Sequence, residues 1–143
     1  MLARMTTTAG ASAESRWQRA ARWALAAVMI SAGVGHFVAP EGFVAIVPSW
    51  LPSPRALVAI SGVCELAGGL GLLVPSLRRA AAFGLMLLFI AVFPANVNMA
   101  LRHIQPPGVV LSEWLLFARL PFQAVLIAWA WWLTKRREPS ADR

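Results

Sequence analysis

ALVAISGVCELAGGLGLLV (56–74) decides the fold. The run is apolar except for one carboxylate, Glu65, near its middle, and it is framed by Pro54 and Arg55 on one side and Pro75 on the other. A helix needs about 20 predominantly apolar residues to cross the hydrocarbon core of a bilayer. The run therefore predicts a transmembrane helix. A charge at its centre carries an insertion cost of roughly 2.5–3.5 kcal/mol, so the surroundings of Glu65 need an explanation.

Three further segments read the same way: Trp23 to Ala39, Ala80 to Leu101 and Trp114 to Leu133. The expected fold is all-α, a four-helix transmembrane bundle. Composition agrees with it. Of 143 residues, 59% are hydrophobic and 13% charged, about half the charged share of an ordinary soluble domain, and the mean hydropathy is +0.65. A body of 15.5 kDa cannot enclose that much apolar surface, because small folded chains leave much of their surface exposed. The lipid bilayer is the expected solvent. Disorder and collagen-like repeats are excluded. So is a disulfide framework, since Cys64 is the sole cysteine, and one thiol cannot run dithiol exchange within a chain.

The basic residues set the expected orientation. Arg4, Arg16, Arg19 and Arg22 precede the first span, Arg78 and Arg79 separate the second from the third, and Lys135, Arg136, Arg137 and Arg143 follow the fourth. The other side carries Arg55 and Arg102, and Arg119 falls within span four. The positive-inside rule puts both termini in the cytoplasm. The net charge of +7 reads as a topology signal and an attraction to anionic lipid, with no nucleic-acid partner. The expected organisation is a basic N-terminal segment (1–22), a membrane domain (23–133) and a basic tail (134–143). A cleaved signal peptide is disfavoured because Pro40 follows directly on Phe37-Val38-Ala39, where a small-residue cleavage site would end.

Between the first two spans, PEGFVAIVPSWLPSP (40–54) is almost uncharged. Phe43, Ile46, Val47, Trp50 and Leu51 recur at helical spacing, and tryptophan favours the headgroup level. A short interfacial lid is expected, with Phe43 and Trp50 as its aromatic contacts. Pro48, Pro52 and Pro54 limit any helix there to a turn or two. A plain hydrophobic anchor is the alternative. The second loop on that side, 102–112, contains Pro106-Pro107-Gly108 and reads as irregular, with Ser112 a candidate cap for the fourth helix.

Polar groups inside spans are expensive and mark either function or interhelical glue. The candidates are His36, Glu65, Asn96, Arg119 and Gln123. On span two, Ser61, Glu65, Gly68, Gly69 and Leu72 share a face, so the carboxylate stands among small residues that let a neighbouring backbone approach. His36 shares its face with Ala32 and Gly33. Asn96 and Asn98 point to nearly opposite sides of a regular helix, and Asn96, aligned with Phe89, Phe93 and Met99, is the expected inward one. Arg119 and Gln123, four apart, project together. At the helical rise, Glu65 lies about 15 Å and Arg119 about 8 Å from the same side of the membrane, a difference the arginine can span by snorkelling. A Glu65–Arg119 pair ringed by His36, Asn96 and Gln123 is therefore expected. The alternative is that these groups only glue the bundle, with His36 donating to a backbone carbonyl. No metal site is expected, because one histidine and one carboxylate fall short of a ligand set.

Four blocks carry a likeness. GVGHFVAPEGFVAIVPSWLP (33–52), SGVCELAGGLGLLVPSLRRAAAFGL (61–85), AVFPANVNMAL (91–101) and RLPFQ (119–123) resemble the DoxX-like family of small bacterial integral membrane proteins. The resemblance implies a four-helix transmembrane fold in the inner membrane, and all five polar candidates lie within its blocks. It also implies a membrane redox system, with a quinone as the associated cofactor, no covalently bound cofactor, and a redox partner or second copy as companion. A quinone needs an apolar slot, donors to its oxygens and a proton route. Phe89 and Phe93, His36 and Arg119, and Glu65 could supply these in turn. A small-molecule or lipid binding or transport module, and a non-catalytic scaffold for a partner protein, are the competing functions.

Overall fold

The computed structural model describes residues 15–105, 107–108 and 110–135. Five helices follow one another: α1 (Arg16–Val38), α2 (Pro40–Ile46), α3 (Pro54–Leu73), α4 (Arg78–Leu101) and α5 (Glu113–Thr134). The four long ones are each long and apolar enough to cross a membrane, which makes this a multi-pass membrane architecture. Residues 1–14 and 136–143, which hold most of the expected N-terminal segment and nearly all of the tail, lie outside the described residues.

Local chemistry fixes most of the ends. Ser15 caps α1 by accepting from the Gln18 amide at 3.1 Å, satisfying one of the donors that a helix start leaves over. Pro40 and Pro54 open α2 and α3, where a missing N–H costs nothing. Ser112 stands at the cap position of α5, but its side chain makes no capping bond. α1 starts at Arg16 rather than Trp23, so Arg16, Arg19 and Arg22 ride on the helix instead of preceding it.

Strong packing runs in series, α1 on α3, α3 on α4, α4 on α5, with α2 against α3, α1 and α4. Glycines set the α1–α3 spacing. Ala26 lies against Gly69 and Gly33 against Gly62, where a Cβ on either glycine would come within about 3 Å of the facing helix backbone. In that register α3 ends opposite Arg22, and the first turns of α1 overhang by about 9 Å at the helical rise. At the other end α1 stops short of the start of α3, and α2 packs into the step. The core below is Leu25, Ala26, Met29, Leu72, Ala82, Leu85, Phe89, Leu126, Ala130 and Leu133. Outward faces carry Ile60, Val63, Leu70, Phe83, Leu87, Ile90, Phe122 and Val125, all exposed, as expected where lipid replaces water.

Two arginines close one end of the bundle. Arg22, only 3% exposed, donates from Nη1 to the Leu72 carbonyl at 3.1 Å, and Arg79 donates from Nε to the Thr134 carbonyl at 3.1 Å. Both target the last turn of a helix, where carbonyls lack intrahelical partners and the helix dipole favours a cation. Near the same end, Lys135 Nζ sits 3.6 Å above the Trp131 ring.

Candidate functional site

Glu65 is placed by the glycine seam. Gly62, one turn before it, lies under His36, so close that a Cβ there would stand 2.7 Å from His36 Cβ. The absence of that atom lets α1 bring its imidazole to the carboxylate. Glu65 is 8% exposed and His36 equally buried, and His36 Nδ1 lies 3.3 Å from Glu65 Oε2.

The Nδ1 proton goes elsewhere. Nδ1 is 2.9 Å from the Ala32 carbonyl, which can only accept, so Nδ1 donates there. Glu65 Oε2 is left buried with no hydrogen-bond donor among the described residues. The 3.3 Å approach is thus a charge-level contact with the ring and not a hydrogen bond. A buried polar oxygen without a partner is uncommon and marks strain, chemistry or a missing guest.

Phe43 covers the pair. Its ring stacks on the His36 imidazole with centroids 3.9 Å apart and planes 24° from parallel. Phe43 belongs to α2, which caps this part of the bundle. Trp50, in the turn beyond, is 71% exposed, where it can meet the headgroup layer. Arg55 Nη2 donates to Glu41 Oε1 at 2.9 Å, tying the first turns of α3 and α2 together on the exposed side.

The other candidates separate. Asn96 Nδ2 donates to Gln123 Oε1 at 3.0 Å, and Gln123 Nε2 donates to the Phe89 carbonyl at 2.6 Å. Pro94 lies within α4, has no N–H and crowds the preceding turn. Gln123 adds a second donor to the Phe89 carbonyl in the turn before Pro94, next to the Ile90 carbonyl that the proline leaves without its intrahelical N–H. These two amides bond each other rather than His36 or Glu65.

Arg119 is not part of the site. It is exposed, and the expected Glu65–Arg119 pair does not form. α5 packs on α4 and makes no strong contact with α1 or α3, so the inward face of α5 looks at Asn96, not at Glu65. Arg119 and Gln123 share a stripe only approximately, since four residues overshoot a full turn by 40°, and Pro121 stands between them. Gln123 is buried and Arg119 is turned out. Phe93, aligned with Asn96 by spacing, is likewise exposed while Phe89 and Met99 are buried.

Two contributors escaped sequence reasoning. Arg22 continues the buried stripe Leu25, Met29, Gly33 and His36 at intervals of three and four, a signal masked by its place among topology-setting arginines. Helical spacing turns Asn98 away from Asn96, yet its Nδ2 donates to the Ile46 carbonyl at 2.9 Å.

Residues 25–134 match the family described as a domain of unknown function, DUF8561. The chain belongs to the DUF8561 family. The match takes in α1 from Leu25 onward, α2, α3, α4 and α5, with His36 and Glu65. No curated protein and no solved structure matches the chain.

Proposed function

We propose that this chain is a DoxX-like inner-membrane protein with both termini cytoplasmic, in which His36 and Glu65 form the proton-exchanging site of a quinone-associated redox component. The observation that carries the reading is Glu65 Oε2, buried, 3.3 Å from an imidazole and without a donor among the described residues. A quinol hydroxyl donating to that oxygen would satisfy it, and an aromatic ring already lies over the imidazole. Oxidation of a quinol releases two protons and two electrons. Glu65 accepts one proton, the unprotonated Nε2 of His36 accepts the other, since Nδ1 carries the proton given to the Ala32 carbonyl, and both electrons pass to a partner component in the membrane that acts as the two-electron oxidant. The four sequence blocks that resemble DoxX-like proteins support the class. Ten of the thirteen basic residues on one side support the orientation, by the positive-inside rule.

The test is quinone retention by the purified protein in lipid nanodiscs, read by mass spectrometry of extracted lipid and by titration with a water-soluble quinone analogue. Wild type retains quinone and Glu65→Gln, which keeps the shape but cannot exchange the proton, loses turnover with its partner. Wild-type protein with no measurable quinone affinity overturns the reading. One observation favours a second reading, a scaffold: Arg119 projects from the membrane-facing side of α5 without a partner among the described residues, as a contact for an acidic group on another protein would. Loss of a co-purifying partner in Arg119→Leu, with quinone binding absent throughout, would select it.

A further inference from the structure

Asn96 and Asn98 stand two residues apart on α4 and serve different helices. Asn96 is committed to Gln123. Asn98 reaches the other way, to the carbonyl of Ile46, the last residue of α2, where a carbonyl has no intrahelical donor. Ile46 is one turn beyond Phe43, the residue stacked on His36. The amide of Asn98 therefore fixes the short helix that holds the seal.

Little else holds it. α2 has no buried residue, the mark of a segment that opens at low cost. Among the described residues its other ties are the stack itself, the exposed Arg55–Glu41 contact, the packing of Gly42 near Pro107 and half-buried contacts with α1, α3 and α4. The segment is bounded by two unusual backbone positions, Ala39 at φ −135°, ψ 60° and Ser53 at φ 50°, ψ 61°. Ser53 is a left-handed residue with a side chain, a conformation that L residues adopt at a cost. Hinges absorb large φ/ψ changes at a few element-terminal residues of this kind.

We infer that Asn98 is a positioning residue for the His36–Glu65 site: its hydrogen bond to Ile46 latches α2 as a lid, and opening of that lid gives the loop end of the molecule access to the Glu65 carboxyl. The inference rests on the reading of Glu65 as the exchanging group. It assigns the route by which a proton or a polar quinone head arrives.

A water-soluble carbodiimide with an amine nucleophile amidates reachable carboxyls, and peptide mass spectrometry reads the rate at Glu65 in the full chain in nanodiscs. Asn98→Leu removes the donor at similar volume. Loss of one net hydrogen bond corresponds to about a fivefold rise in the open population, so Glu65 should react about fivefold faster while the exposed Glu113 keeps its rate. The His36 ring protons, shifted upfield by the stacked phenyl, should move back in the same variant. Phe43→Leu leaves the latch intact and removes the seal, and it too should raise the Glu65 rate. An unchanged Glu65 rate in folded Asn98→Leu overturns the inference. Should that variant fail to fold, an unchanged rate in Phe43→Leu overturns it equally. Neither result depends on quinone, so the lid can fail while the site reading stands, and the reverse.

Discussion

Replacing Gly33 by alanine tests the spacing on which the site depends. A Cβ at Gly33 would lie 2.8 Å from Leu66 Cγ, 2.9 Å from the Gly62 carbonyl oxygen and 3.0 Å from the Leu66 backbone nitrogen. Two of those atoms are backbone, so no rotamer change relieves the clash. Contacts are optimal at about 3.5 Å or beyond, hence α1 and α3 must part by roughly half an ångström. Overpacking of this kind costs about 1–3 kcal/mol, against a gain in helix propensity of up to about 1 kcal/mol for alanine over glycine. Gly84 on α4 is the internal control, because nothing lies within 4 Å of a Cβ there, and Gly84→Ala keeps only the gain. The two variants should therefore differ by about 2 kcal/mol, with Gly33→Ala the less stable. Unfolding by SDS in mixed micelles, followed by far-UV circular dichroism, measures the difference. Equal stability of the two variants would refute the close-approach account of the α1–α3 seam.

Gln123→Leu strips the Asn96 amide of its acceptor and the Phe89 carbonyl of its second donor and should cost about 1–3 kcal/mol, and the double variant with Asn96→Leu should recover part of it in the same unfolding assay. Arg22→Met removes a buried clasp and should lower stability by at least about 1.5 kcal/mol; the matching change at exposed Arg79 should have the smaller effect, and a reversed order would count against burial as the cause. Arg119→Leu should leave unfolding stability within about 0.5 kcal/mol of wild type, since the exposed guanidinium makes no pair among the described residues. A loss of several kcal/mol on thermal or SDS unfolding would restore the Glu65–Arg119 pair that the helix arrangement denies.

Hydropathy made the four long helices legible, because each must satisfy its own backbone in lipid and so needs an unbroken apolar run. Small residues at intervals of three and four marked the buried face of α3, on which Glu65, Gly68, Gly69 and Leu72 are all found. The α2 segment was visible as a short apolar stretch caged by prolines. What could not be read was adjacency. Assigning inward faces to spans says nothing of which span a face meets, and the five polar groups expected around one interior are divided because the packing runs in series. That is why Gln123 fell to Asn96, Arg119 turned outward, and His36 rather than arginine became the neighbour of Glu65. Asn98 was missed for a related reason: its partner is a main-chain carbonyl, and main-chain acceptors carry no sequence signature.

The two arginine clasps bear on how the chain is made. Each joins the beginning of one long helix to the end of the helix antiparallel to it, Arg22 to Leu72 and Arg79 to Thr134. A nascent polypeptide emerging amino end first completes the α1–α3 hairpin before α4 has left the ribosome, and the α4–α5 hairpin last. Each clasp can close only when its own hairpin is whole, so each hairpin carries its own fastening, and the α3–α4 contact is what joins the two.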